Sequence, residues 1–352
     1  MPVPTLPPFP DNVPTHPLLV IDYGLLKSGD SEEKDRLWTA ATELGFWYLK
    51  NHGADEEVNG MFDMGAETMA LPTEEKMKFT QGDAGVSFGY KAAGASAVDA
   101  EGNPDTVEFL NVSKDDALSY PKPARRIYPH TVNNRMGSTI TPFVRKSVDI
   151  NDTILAIFNE KLGLPEGTLD SLHTGSGEYS GSETRVIKSR AAGLPADRMA
   201  IGAHTDFGSL SFLHNRLGGL QVLPPGVEEW QYVRPLPGHA ICNVGDALSV
   251  MSGGILRSNI HRVVPPPGDQ SKLDRWSLVF FFRPGNPVLL RALTDQSSII
   301  ADAVKNADES INFNPGETAE EWFVRRVRYQ LLSNRKGPET WMASRGTEKG
   351  RV

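Results

Sequence analysis

Apolar residues along the chain change their spacing twice. In the first part they recur at helical intervals: Leu37, Trp38, Ala41 and Leu44 form one stripe. Asp30 opens an Asp-x-x-Glu capping box with Glu33 ahead of that stripe, and Gly45 stops the helix. A second stripe, Val58, Met61, Phe62 and Met69, predicts a helix from about Glu56 to Ala70, ending before Pro72. A third helix is expected over Thr141 to Leu162. Short apolar strands are expected at Leu18–Asp22 and Phe46–Leu49, the latter turning at Asn51-His52-Gly53. From Arg185 to Leu290 the texture becomes short β-branched runs separated by Pro/Gly turns, which predicts a sandwich or barrel. Helical spacing then returns, with Thr318 and Glu321 as a capping box before Trp322, Phe323, Val327 and Leu331. Arg325, Arg326 and Arg328 on that helix read as a solvated basic face. Two stretches lack periodicity. Residues 1–17 are Pro-rich and predict an extended arm, and the Gly/Ala/Ser-rich run through Gly102 predicts a mobile loop. No internal repeat is evident. The expected architecture is mainly β with flanking helices and continuous: an N-terminal helical and strand region over 1–180, a β core over 181–295 and a helical extension over 296–352.

Composition narrows the function classes. The chain has 352 residues, 23% of them charged, and a net charge of -8 without any Lys/Arg run. That balance argues against nucleic acid or an anionic membrane surface as partner and favours a small molecule. No apolar run approaches the length needed to span a membrane, and the N-terminal residues lack the pattern of a signal peptide. The single cysteine, Cys242, excludes a disulfide within the chain and reads as a small buried hydrophobe. A reducing, cytoplasmic compartment is the expectation. Oligomeric state is left open.

One triplet carries candidate chemistry. His204-Thr205-Asp206 is the only His-x-Asp/Glu in the sequence, although about one is expected by chance, so its context decides its weight. Ala200–Ala203 precedes it and an alternating run, Phe207–Leu213, follows, which places it at the mouth of a sheet. A two-residue step puts His204 and Asp206 on one face. His261, in the β-branched run Ser258–Val264, is the other His in a clear strand context downstream. Two imidazoles and one carboxylate can occupy one face of a six-coordinate metal and leave the other positions open, as in non-haem Fe(II) oxygenases. The bland alternatives are a surface turn pair for His204 and Asp206 and a core histidine for His261. Arg275 and Ser277 share a strand face by the same two-residue rule; Arg275 could clamp a carboxylate or form an ordinary ion pair. His52 reads as a structural turn residue and Asp246 as a turn residue. His130, His173, His214 and His239 lie in loop-like contexts without partner spacing.

Several segments, in order, resemble the isopenicillin N synthase-like family of Fe(II)/2-oxoglutarate-dependent oxygenases. They are Gly45–Gly53, Leu71–Lys76, Gly89-Tyr90, His204-Thr205-Asp206, Gly218–Val222, Asn243-Val244-Gly245-Asp246, Ser258–Val263 and Arg275-Trp276-Ser277. The resemblance implies a double-stranded β-helix, or jelly roll. It implies His204, Asp206 and His261 as iron ligands, with Arg275 and Ser277 on the distal carboxylate of 2-oxoglutarate. The implied cofactors are Fe(II), 2-oxoglutarate and O2, with ascorbate a candidate reductant. The implied reaction is a dioxygenase's: 2-oxoglutarate is decarboxylated to succinate and a C–H bond of a small organic molecule is hydroxylated, desaturated or rearranged, with specialised metabolism as the expected setting. The alternatives are a same-fold oxidase that does not use 2-oxoglutarate and a non-catalytic jelly-roll binding protein. One segment departs from the family pattern: Ile187-Lys188-Ser189 stands where members often carry Asn-x-Tyr, which leaves Lys188 and Ser189 as candidate co-substrate contacts. Tyr90, Glu108, Lys188 and Arg190 are candidate substrate contacts, and Phe207 and Phe282 candidate wall residues.

Overall fold

The structure, a computed structural model, describes residues 6–173, 179–191, 195 and 198–348. Residues 1–5 of the expected Pro-rich arm lie outside these. Twelve strands are present among the described residues: β1 Val20–Asp22, β2 Phe46–Lys50, β3 Gly89–Lys91, β4 Val107–Ser113, β5 Glu183–Ser189, β6 Ile201–His204, β7 Leu210–Asn215, β8 Leu220–Val222, β9 Gln231–Tyr232, β10 His239–Val244, β11 His261–Val263 and β12 Arg275–Phe282. They form an eight-stranded sheet, ordered β1-β2-β10-β7-β12-β5-β4-β3, and a four-stranded sheet, ordered β6-β11-β8-β9. The first four strands therefore extend the same sheet that carries the core strands.

Side-chain alternation gives the large sheet two different faces. On β12, Leu278, Phe280 and Phe282 point outward into a core shared with the helices Asp55–Met69 and Thr141–Lys161, where Phe143, Phe158 and Phe212 are fully buried. Each such side chain contributes roughly 1.5–3 kcal/mol of burial. The helix Asp55–Met69 approaches β5 so closely that a Cβ at Gly65 would overlap Val186, which accounts for the glycine. The inner face carries Val107, Phe109, Ile187, Val279 and Phe281, which meet Val263 and Ile201 of the small sheet. Between the two sheets lies the cavity.

The expected helices form at Ser31–Glu43, Asp55–Met69, Thr141–Lys161 and Ala319–Gln330. Thr318 and Glu321 make the reciprocal capping box. At Asp30 only half of the box forms: its side chain accepts from the Glu33 N–H at 2.9 Å, while the Glu33 carboxylate accepts from the Asp22 N–H. The loop expected to be mobile is pinned instead. Ala97 N–H donates to Gln330 O at 3.0 Å, and Leu332 N–H donates to Ala95 O at 2.9 Å. Its small residues let the backbone lie against the helix Ala319–Gln330 and the residues after it. None of the four histidines expected in loops lies in one: His214 is on β7 and His239 on β10. His130 opens a short helix and His173 ends another. No helix of the described residues is long and apolar enough to cross a membrane.

Candidate metal and co-substrate site

His204 is the last residue of β6, and His261, the first of β11, is its direct cross-strand partner. Asp206 lies two residues beyond the end of β6, held there because its carbonyl accepts from the Asp246 N–H at 2.8 Å. The convergence thus depends on a turn as well as on strand alternation. Asp206 Oδ1 stands 3.8 Å from His204 Nε2 and 3.7 Å from His261 Nε2. The ligand atoms of all three residues lie within 4.8 Å of one another, close enough to converge on one ion.

Backbone geometry fixes the chemistry of these donors. His204 Nδ1 lies 2.8 Å from Gly202 O, and His261 Nδ1 lies 3.2 Å from Asn259 O. A carbonyl only accepts, so the proton of each ring sits on Nδ1 and the lone pair of Nε2 is directed into the site. Burial, then the neighbouring His261, pushes the His204 imidazole down to about 3, which keeps it neutral. Burial alone would raise the Asp206 carboxyl, but His261, His204 and bonds from Asn243 and Ser211 outweigh it and hold it at about 2. Those bonds, from Ser211 Oγ at 2.6 Å and Asn243 Nδ2 at 2.8 Å, both occupy Oδ2 and leave Oδ1 for a metal. A neutral His204 imidazole and an ionised Asp206 carboxylate are in the protonation states that metal ligation requires.

Arg275 lies in the same cavity. It is 3% exposed and has no carboxylate partner among the described residues. Its Nε donates to Gly218 O at 2.7 Å and its Nη1 to Ser277 Oγ at 2.6 Å. Burial lowers its pKa to about 10 without removing its charge at neutral pH. An unpaired buried cation costs several kcal/mol, on the order of the desolvation penalty of one ion, so this guanidinium fits an anion-binding role. A 2-oxo-dicarboxylate reaching from Arg275 to the histidine–aspartate cluster suits the donor set.

The candidate substrate contacts separate by sheet face. Phe207 lines the cavity. Ser189 is the cross-strand partner of Arg275 and shares its face. Lys188, one step away, points to the opposite face, where it pairs with Asp274 at 3.1 Å and lies over Trp276. Glu108 is its partner on β4 and is bound there by Lys76 at 2.6 Å and Tyr90 at 2.7 Å, with Arg190 3.8 Å away. Lys188, Glu108, Tyr90 and Arg190 are therefore a cluster outside the cavity, not contacts within it. Phe282 is likewise turned to the helical core, stacked near His173 and Phe280, and Phe281 takes the wall position. A one-residue step flips the face, which corrects these assignments.

Other residues enter the site unannounced by sequence. Arg185, two steps from Ile187 on the inner face of β5, reaches the cavity and bonds Asn111 and Glu183. Trp341, Ser344 and Arg345 line the cavity from the far part of the chain. Arg326, read as part of a solvated face, is fully buried and ion-paired with Asp246 and Glu348. Asp246 opens the helix Asp246–Met251.

Two family models match the chain. That of the 2OG-Fe(II) oxygenase superfamily matches residues 187–284, and that of the non-haem dioxygenase in morphine synthesis N-terminal region matches residues 18–134. The chain is 30% identical over 280 residues to the 2-oxoglutarate-dependent dioxygenase frbH of Dothideomycetidae sp. (strain 11243), covering 78% of this chain and 84% of that one. It is 25% identical to a 1-aminocyclopropane-1-carboxylate oxidase of Dictyostelium mucoroides, covering 88% and 94%. Among solved structures, a full-length Neurospora crassa protein in complex with alpha-KG superposes with a TM-score of 0.71 at 21% identity, covering 92% of this chain and 99% of that one. A 2OG-Fe(II) oxygenase family protein from Caulobacter crescentus gives 0.71 at 23% identity, covering 89% and 99%. At those identities, the two structures establish the jelly-roll fold.

Proposed function

Because the chain belongs to the 2OG-Fe(II) oxygenase superfamily and is a 2-oxoglutarate-dependent dioxygenase, we propose that His204, Asp206 and His261 are its iron ligands and that Arg275 and Ser277 hold 2-oxoglutarate. The observation that carries the assignment is the pairing, in one cavity, of two imidazoles and an ionised carboxylate with a buried cation that lacks a counter-charge among the described residues. Iron bound there, with 2-oxoglutarate and dioxygen, supplies the oxidant for a C–H bond while 2-oxoglutarate becomes succinate and carbon dioxide.

The protein's own work is orientation and exclusion of water. Arg275 presents its fork to the distal carboxylate. Ser277 Oγ accepts from Arg275 and keeps its own proton to donate to the same carboxylate. Ser189 lies beside this pair and is too short to reproduce the contact of a tyrosine. The walls are supplied by Val98, Phe109, Ile187, Leu213, Val263 and Phe281, a lining that suits a small organic substrate with an apolar body. The net charge of -8 favours such a substrate over nucleic acid. A setting in specialised metabolism is supported by the match of residues 18–134 to a family model described from morphine synthesis, and a cytoplasmic one by the lone, buried Cys242.

Anaerobic titration with Fe(II) and then 2-oxoglutarate tests the assignment through the metal-to-ligand charge-transfer band. The band is expected with the wild-type chain and is lost in His204→Ala. No band from wild type, or an unchanged band in His204→Ala, would overturn it. Succinate release in the presence of candidate substrates then identifies what is oxidised.

A further inference from the structure

The turn that carries His204 and Asp206 is gripped from outside the jelly roll. Arg345 Nη2 donates to Ala203 O at 2.7 Å, on one side of His204. Arg326 Nη2 donates to Thr205 O at 3.1 Å, between the two ligands. The Thr205 hydroxyl lies 2.6 Å from Glu348 Oε2 and 2.9 Å from Asp246 Oδ2. Three of these four partners belong to residues 326–348. They are themselves locked together: Arg345 Nε pairs with Glu348 Oε1 at 3.0 Å, Arg326 Nη2 with Glu348 Oε1 at 3.4 Å, and Arg326 Nη1 with Asp246. Ser258 and Thr347 hydroxyls complete the Asp246 carboxylate at 2.7 and 2.6 Å. Gly346 crosses directly over the Arg326–Asp246 pair, where any Cβ would overlap both side chains. All four charged residues are buried. The same segment also presents Trp341, Ser344 and Arg345 to the cavity.

We propose that Arg326, Arg345 and Glu348 are positioning residues for the metal-ligand turn, so that metal affinity and ligand geometry are set in part by these three side chains from the C-terminal segment. The proposal rests on the assignment of His204 and Asp206 as ligands. Partners of metal ligands hold donor atoms in place, and their loss typically lowers metal affinity about 10- to 100-fold. Here the grip acts on the backbone carbonyls and the Thr205 hydroxyl around the ligands, one bond further out than Ser211 and Asn243. Linkage makes the effect reciprocal: if the segment favours metal binding, the metal must hold the segment more firmly by the same factor.

Two disrupting variants, one restoring variant and one wild-type measurement test this. Thr205→Val removes the gripped hydroxyl at nearly constant volume, and Thr205→Ser restores it. Fe(II) affinity, measured anaerobically by chelator competition, should fall about tenfold in Thr205→Val and in Glu348→Gln. The charge-transfer band of the Fe(II)–2-oxoglutarate complex should shift in both, and Thr205→Ser should recover wild-type values. Should either variant fail to fold, amide exchange in the wild-type protein decides: Fe(II) should slow exchange at Gly346, whose N–H is bonded to Glu348 Oε2 at 2.8 Å. Wild-type affinity and band in the folded variants, or unchanged exchange at Gly346 on adding iron, would overturn the proposal. Absence of any band from wild type would instead overturn the iron assignment.

Discussion

Two buried arginines in this molecule have opposite surroundings. Arg326 is fully buried among Asp246, Glu348 and Arg345, a group with two cations and two carboxylates. Arg275 is 3% exposed, with a carbonyl and a hydroxyl as partners and no carboxylate among the described residues. The first arrangement is complete in itself. The second leaves a buried positive charge that no carboxylate among the described residues meets, and the difference separates a charge satisfied within the fold from one left open to an anion. Substituting both with an uncharged residue of similar length should expose the contrast. Arg326→Met strands two buried carboxylates and should destabilise the fold by about 3–5 kcal/mol, measured by chemical denaturation. Arg275→Met removes a charge that had no partner, so the apo protein should change by less than about 1.5 kcal/mol. Equal losses in the two variants would break the distinction.

Acid creates a buried charge at His173, whose ring nitrogens meet only the neutral Leu169 carbonyl and Ser209 hydroxyl, which sharpens the comparison from a third direction. Burial pushes His173 from an ordinary 6.5 down to about 4. Its folded pKa is depressed, so the unfolded chain takes up a proton near pH 6.5 that the folded chain refuses until about pH 4. Stability is therefore retained above pH 6.5 and lost as pH falls through that window. At roughly 1.4 kcal/mol per pH unit, the full loss from this group is on the order of 3 kcal/mol. His204, lowered to about 3, adds to the slope in the metal-free protein. Denaturation between pH 7 and 4.5 should show a shallower slope in His173→Phe than in wild type. Identical slopes would mean that His173 protonates without penalty.

Ligand binding provides the next smaller effect. Arg275→Met should weaken 2-oxoglutarate by about 100-fold, as expected when one partner of a buried charged pair is truncated. In wild type loaded with iron, 2-oxoglutarate at a hundred times its Kd should stabilise the fold by about 2.7 kcal/mol, and at the same concentration Arg275→Met should gain far less. Stabilisation of equal size in both would remove Arg275 from the clamp.

The same contrast explains what could be read in the sequence. The convergence of His204, Asp206 and His261 was legible because β-branched flanks and turn residues placed them at or just beyond strand ends, and the shared face of Arg275 and Ser277 because a two-residue step preserves the face. Glu108, Lys188 and Phe282 fell on the wrong face for the same reason in reverse: Phe109, Ile187 and Phe281, one position away, take the wall. Alternating strands buried on both sides carry no polar–apolar signature to tell the faces apart. The Arg326 network was illegible for a different reason. Its partners are 80 residues apart at Asp246–Arg326 and 143 apart at Thr205–Glu348, and no local pattern announces them. Arginines near the end of a helix ordinarily face water, so the local expectation ran against the tertiary outcome.

Lys188 offers the smallest and most discriminating effect. It shares β5 with Ser189, the cross-strand neighbour of Arg275, and the sequence makes its charge a candidate contact for 2-oxoglutarate. Its ammonium instead faces Asp274 at 3.1 Å, with the two side chains 19% and 40% exposed. A pair this open to water is screened, so Lys188→Ala should cost less than about 1 kcal/mol of stability. Its distance from the cavity face means that 2-oxoglutarate affinity should stay within about twofold of wild type, since a change near 0.4 kcal/mol is the most a screened charge on the far face should transmit. A loss approaching that of Arg275→Met would show that β5 turns the other face to the co-substrate. The face assignment of Arg185, Ile187 and Ser189 would then fail along with it, because alternation ties all four side chains to one register.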